Sequence, residues 1–238
     1  MLFRSTLFPY TTLFRSKALH TMNKLRVPFV RDGLINAGTV KPQFVNTSEP
    51  LKGLTILDVG CGGGILCEPL ARLGAKVTGI DATAELIVIA KEHVPKEPEF
   101  NDLLYLHTTV EEHAKTNLMS YDAVVASEVI EHVLDKPAFI KACINCLKPN
   151  GSIFITTLNK TYVSYFGGVL IAENVLRLLP VGTHNWNLFI SPPQLQRMLE
   201  DHKCRTRAIH GMVYNPITNT WKWSAIKEIN YALHAIKL

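Results

Sequence analysis

The 238-residue chain is 47% hydrophobic with a formal net charge of +5, which is enough apolar material for one packed domain and excludes a highly charged disordered chain. No stretch clusters Lys and Arg with interleaved aromatics, so the sequence argues against a nucleic-acid partner. Five cysteines, an odd count with no secretory signal, read as reduced thiols of an intracellular protein.

Residues 1–16, MLFRSTLFPYTTLFRS, repeat Leu-Phe-Arg-Ser at 2–5 and 13–16 and hold two of the positive charges, Arg4 and Arg15. The string is Arg-bearing, Ser/Thr-rich and acid-free, as a mitochondrial transit peptide would be. The stronger reading is that TLFPYTTLFRS is the translation of a common sequencing adapter and that the natural sequence begins near Ser16 or Lys17. Deleting residues 1–16 is then expected to leave the thermal unfolding midpoint unchanged. Residues 17–53 read as a helix (22–36) and a Pro-, Asn- and Ser-containing linker, and residues 54–238 as the main domain.

From Leu54 strands and helices alternate. Strands are predicted at Leu54–Val59, Lys76–Ile80, Leu103–His107, Ala123–Ala126 and Ser152–Thr157. Helices are predicted at Ile65–Leu73, Ala84–Glu92 and Pro137–Leu147, the last stopped by Pro149-Asn150-Gly151. This rhythm argues for parallel βαβ units with right-handed crossovers. A long apolar stretch follows at 161–179, then a helix from Ser191-Pro192 to about His202. Two final strands, Arg205–Val213 and Ile229–Ile236, flank the loop YNPITNTWKWSAIKE. The expected fold is a Rossmann-like α/β domain with a seven-stranded sheet, five parallel strands plus a terminal antiparallel hairpin. Cys143 and Cys146 form a C-x-x-C without a second pair at zinc spacing and read as helix packing. Asn215-Pro216 reads as turn chemistry.

The most informative run is Leu57-Asp58-Val59-Gly60-Cys61-Gly62-Gly63-Gly64, at the end of an apolar strand. Glycines there permit a tight turn and close approach of the backbone to a ligand. Asp81, at the end of the second strand, can accept hydrogen bonds from both hydroxyls of a ribose. The dinucleotide fingerprint places glycines at its first, third and sixth positions, but counting from Gly60 the sixth position here is Ile65. Asp58, two residues before the first glycine, would be badly placed for a pyrophosphate. It suits the amino-acid end of S-adenosylmethionine, as in methyltransferase loops. Ligands of such sheets lie outside the carboxyl ends of the strands. Thr109, Val110 and Glu111, after strand three, are therefore expected to flank the adenine, and Ser127, after strand four, to face the methionine part.

Strand four runs into Ser127-Glu128-Val129-Ile130-Glu131-His132. If helical, Glu128, Glu131 and His132 lie at i, i+3 and i+4 and share one face. Two carboxylates and an imidazole make a reasonable divalent-metal site, oxygen-rich and leaning towards Mg²⁺ or Mn²⁺, with Zn²⁺ admitted by the His. The competing reading is a solvated acidic face with the His satisfied elsewhere. Without a metal, His132 or Glu128 is the candidate general base.

Residues 17–238 resemble the ubiquinone (coenzyme Q) biosynthesis O-methyltransferases, mitochondrial branch. The resemblance rests on LHTMNKLR (19–26), LDVGCGGG (57–64), TVEEHA (109–114), ASEVIEHV (126–133) and LKPNGSIFITTLNKT (147–161). It continues in LPVGTHNWNLFISP (179–192), GMVYNPITNTWKW (211–223) and NYALHAIK (230–237). It implies a class I S-adenosylmethionine-dependent fold and O-methylation of polyprenylated catechols. It implies cofactor contacts at Arg26, Gly60, Asp81 and Ser127, and Mg²⁺ at Glu128, Glu131 and His132. It also implies a peripheral place on the matrix side of the mitochondrial inner membrane, within a multi-enzyme complex. Alternatives are methylation of another small hydroxylated molecule and a catalytically silent scaffold. Family members carry a further segment upstream of LHTMN, where the adapter-like string stands here.

Because a polyprenyl tail is insoluble, residues 161–190 are expected to form a membrane-facing lid, with Phe166, Val169 and Leu170 along one side. The longest uncharged run, Thr161 to Ala172, is 12 residues, short of the ~20 of a transmembrane helix, so an interfacial helix fits better than a span. The alternative is an ordinary buried helix.

Overall fold

The computed structural model describes residues 8–161 and 188–238, with side chains from residue 17 onward. The expected adapter-like segment, in its side chains, and most of the expected lid lie outside the described residues.

Strands β1 (Thr55–Val59), β2 (Lys76–Asp81), β3 (Leu103–His107), β4 (Tyr121–Ser127) and β5 (Leu147–Leu158) are parallel neighbours in the order β3-β2-β1-β4-β5. The antiparallel strands β6 (Cys204–Asn215), β7 (Thr220–Ser224) and β8 (Asn230–Lys237) extend this to eight, in the order β5-β8-β6-β7. The expectation of seven strands is corrected by β7. The loop reading of 214–228 missed a Trp-Lys-Trp alternation whose Trp221 Nε1 donates to the Ala18 carbonyl and whose ring lies 5.0 Å from Tyr214. The turn before it is as expected: Asn215 Oδ1 accepts from the N–H of Ile217 and Thr218.

Helices α1 (Phe8–Asn36), α2 (Cys67–Arg72) and α3 (Ala84–His93) cover one face of the sheet, and α4 (Val110–Thr116), α5 (Lys136–Cys146) and α6 (Pro192–Glu200) the other. The strand sequences dictate this sandwich. Ile56, Ala123, Val125 and Phe154 face α1–α3, while Leu57, Val124, Ala126, Ile153 and Ile155 face α4–α6. Strands apolar on both faces are what a parallel sheet requires. α1 begins well before the residue 22 expected from sequence. α4 was not expected, although Thr109 caps it by accepting from the Glu112 N–H. The Pro149-Asn150-Gly151 run ends α5 as expected but lies within β5, where Asn150 adopts φ 61° beside a register shift at Tyr121/Ala123. All five cysteines are buried free thiols, Cys143 and Cys146 within α5.

The strand order reverses between β1 and β4, and the carboxyl ends of β1, β2 and β4 meet there, where open α/β sheets bind ligands.

Candidate active site

The glycine loop folds back on β2. Gly60 and Cys61 N–H both donate to the Ile80 carbonyl, and Gly62 N–H donates to Asp81 Oδ2 at 2.9 Å. Gly60 has φ 68°, and a Cβ there would stand 2.4 Å from Val129 Cγ2. Only glycine joins the left-handed turn to that contact. Asp81 Oδ1 accepts from the Thr83 N–H at 2.8 Å. Each of its oxygens keeps a further lone pair for a ligand.

Behind the loop, Asp58 is 2% exposed and accepts from the Cys67 thiol at 3.1 Å. Burial raises its carboxyl to about 6, against the pull of the Cys67 hydrogen bond and of Arg26. Arg26, 5% exposed, enters from α1. Its Nε and Nη2 donate to Asn23 Oδ1, Nη2 also to the Leu19 carbonyl, and Nη1 to Ser127 Oγ at 2.8 Å. Asn23 Nδ2 in turn donates to the Ile65 carbonyl, tying α1 to the loop. Sequence patterning offers no signal for Arg26, whose partner Ser127 is 101 residues away; only the family resemblance pointed to it. Arg26, Asp58, Gly60, Gly62, Asp81 and Ser127 thus cluster around one end of the sheet. Val110 is different, because its side chain is buried in the core against α4–α6. It can offer a ligand only its backbone, while Glu111 beside it is exposed.

The expected shared helical face of Glu128, Glu131 and His132 is corrected. Glu128 sits at φ 58°, with its N–H donating to the Thr156 carbonyl, so the chain turns instead of starting a helix. Ile130–His132 is a single 3₁₀ turn. Successive residues of such a turn point about 120° apart. Glu131 therefore faces inward, 2% exposed, and accepts from Thr157 Oγ1 at 2.7 Å, whereas His132 is exposed. Among the described residues, no three His, Cys, Asp or Glu side chains are gathered as a metal-binding group.

The two carboxylates nevertheless share a polar pocket. Glu128 Oε2 accepts from Asn230 Nδ2 at 3.4 Å, while its shielded Oε1 has no hydrogen-bond partner. Burial raises Glu128, and burial together with the Glu128 charge raises Glu131 to about 8. Thr157 and Asn230 were missed by the sequence reading. The signal was the Thr-Thr pair inside the apolar run FITTL.

Glu131 sets a pH-dependent stability. Its folded value lies above the ordinary 4.5, so its contribution is complete below about 4.5 and is lost as pH rises through about 8. In chelator-treated protein, Glu131→Gln is expected to raise the thermal midpoint at pH 9 and to change it little near pH 4.5. A variant destabilised equally at both pH values would contradict the buried-charge account.

A methyltransferase-domain family model matches residues 37–208. The fold is that of magnesium protoporphyrin IX methyltransferase from Synechocystis, solved with bound SAH (TM-score 0.61, 16% identity, covering 100% of this chain and 90% of that one). It is also that of a SAM-dependent methyltransferase from Methanosarcina mazei (TM-score 0.60, 19% identity, 84% and 98%). The chain is 47% identical over 221 residues to the mitochondrial ubiquinone biosynthesis O-methyltransferase of Bos taurus, covering 92% of this chain and 58% of that protein. It is 40% identical to the ubiquinone biosynthesis O-methyltransferase of Rhodopseudomonas palustris, covering 93% and 85%. The chain spans about three fifths of the length of the mammalian relatives. With this similarity along nearly its whole length, the chain belongs to the ubiquinone biosynthesis O-methyltransferase family.

Proposed function

We propose that the chain transfers the methyl group of S-adenosylmethionine to a hydroxyl of polyprenylated catechol intermediates of ubiquinone biosynthesis, dihydroxy-polyprenylbenzoate and demethylubiquinol. The observation that carries this reading is a juxtaposition: the loop–Asp81–Arg26 cluster at the ends of β1 and β2, and half-buried Glu128 with buried Glu131 just past β4.

Asp81 takes the ribose hydroxyls. Asp58, Ser127 and Arg26 shape the end that receives the amino-acid part, and Gly60 and Gly62 let the backbone approach the ligand. Glu111 and the Val110 backbone border the adenine. Methyl transfer from a sulfonium is an in-line displacement, so holding oxygen, methyl and sulfur on one line is the main task of the site. Without a bound cation, Glu128 or His132 is the group able to take up the proton released by the hydroxyl.

A divalent cation, Mg²⁺ above all, fits the carboxylate pair. The shielded, unpartnered Glu128 Oε1 and the burial and Glu128 charge that raise Glu131 both describe a pocket short of positive charge. Glu128 and Glu131 would hold the ion, while His132, exposed on another side of the same turn, is not placed to join them. When bound, it would supply positive charge that favours ionisation of a catechol hydroxyl.

Peripheral attachment to the matrix side of the mitochondrial inner membrane, in company with other enzymes of the route, fits an insoluble substrate. No helix among the described residues is long and apolar enough to cross a membrane. The stretch proposed as the lid bears on this through its sequence alone.

The direct test is incubation with S-adenosylmethionine and a short-chain prenylated 3,4-dihydroxybenzoate, with products read by mass spectrometry. A mono-O-methyl product is expected, and none from the matching monophenol. Cofactor binding without any methylation would overturn the reading in favour of a silent scaffold.

Asp81→Ala is expected to weaken S-adenosylhomocysteine binding by about 1.5–3 kcal/mol, the scale of hydrogen bonds to a charged group. Titration calorimetry reads it, and unchanged affinity would remove Asp81 from the ribose.

A further inference from the structure

Away from that site, a cleft of about 650 Å³ opens between α1 and the outer strands β6, β7 and β8. Its volume suits a small organic ligand. One wall is aromatic: Phe29 lies 5.6 Å from Trp223 and 6.1 Å from His210, and His210 lies 5.5 Å from Trp223, between ring centroids. The other wall is cationic. Arg205 and Arg207 line it, the latter at the register shift between Thr206 and Ala208. Bulges of this kind re-aim side chains next to sites.

Among the described residues, neither guanidinium has an ion-pair partner. The one acidic lining residue, Asp32, is already paired with Arg31 at 2.7 Å. The charge of Arg207 reaches the inner wall, where it adds to burial in lowering His234 to about 4. His234 is thus neutral near pH 7 and adds no charge to the two arginines.

We propose that this cleft is a second binding site, for a small aromatic carboxylate. The carboxylate meets Arg205 and Arg207, and the ring lies against Phe29 and Trp223. Guanidinium forks match a carboxylate in geometry and charge, and aromatic walls favour a planar body over a bare anion.

The probes are 2-naphthoate, its neutral counterpart 2-naphthamide, and inorganic phosphate, titrated into the full chain by calorimetry with and without saturating S-adenosylhomocysteine. Naphthoate is expected to bind with and without the cofactor product, and at least about tenfold more tightly than the amide or phosphate. The double variant Arg205→Gln/Arg207→Gln, if its melting curve shows it folded, is expected to lose naphthoate and keep S-adenosylhomocysteine. If the variant does not fold, the comparison of naphthoate with naphthamide on the wild type decides alone. Equal binding of acid and amide, phosphate binding as tight as naphthoate, displacement by S-adenosylhomocysteine, or no binding of naphthoate would each overturn the assignment.

Discussion

Arg26→Gln is expected to cost about 3 kcal/mol of folding stability, the lower end of the penalty for leaving a buried charge without its counter-charge. Arg26 is the positive charge set against Asp58 and Glu128, lowering the pKa of both against the effect of burial. Its own pKa is lowered by burial and supported by the same two acids. Removing it leaves two carboxylates in a site that already disfavours their ionised forms. The loss carries a pH signature. Without Arg26 both acids rise further, so acidification relieves the variant, and its deficit is expected to be smaller at pH 5 than at pH 8. Urea unfolding at the two pH values measures this. Arg26→Lys would keep the charge but not the fork that spans Asn23, Leu19 and Ser127, and is expected to recover stability better than cofactor affinity. A deficit independent of pH would mean that the hydrogen bonds, not the charge, are what Arg26 supplies.

The same residue shows where a sequence stops being legible. The βαβ rhythm, the glycine loop and the acid closing β2 are local patterns, and each appears in the fold within a residue or two of its expected place, except that β5 begins at Leu147, well before the expected Ser152. Glu128, Glu131 and His132 do follow the end of β4, but their mutual geometry was not legible. Spacing alone suggested a helix, whereas the Thr156 carbonyl on the neighbouring strand captures the Glu128 N–H and forces a left-handed turn. That partner is set by strand register, which no local pattern encodes. Two misses were avoidable. Thr109-Val110-Glu111-Glu112 is a helix start of the Thr-x-x-Glu kind, and the alternation around Trp221 and Trp223 with an Asn-Pro turn before it is a hairpin signal. Val110 shows a simpler limit: an apolar residue opening a helix beside a sheet gives its side chain to the core, so only its backbone is left for a ligand.

Chelation of divalent cations is expected to lower methyl transfer by roughly 100-fold or more, the scale of losing a group that moves a proton or stabilises developing charge. S-adenosylhomocysteine affinity should stay within about twofold, since no residue proposed for the cofactor belongs to the carboxylate pair. Unaided, Glu128 and Glu131 are poor neighbours. Thr157 and Asn230 hold them in place, yet Glu131 is driven to about 8 by burial and by the charge beside it. An acid pair in that condition near neutral pH is partly protonated and a poor anchor for anything but a cation. Mg²⁺ add-back after EDTA is therefore expected to restore activity. It should also raise the thermal midpoint at pH 8 more than at pH 6, because at the higher pH the bound ion has less proton to displace. Glu131→Gln should abolish both responses while leaving cofactor binding intact. Full activity in EDTA after dialysis, with no Mg²⁺-dependent shift in melting, would return the pair to a structural role and leave His132 as the candidate base.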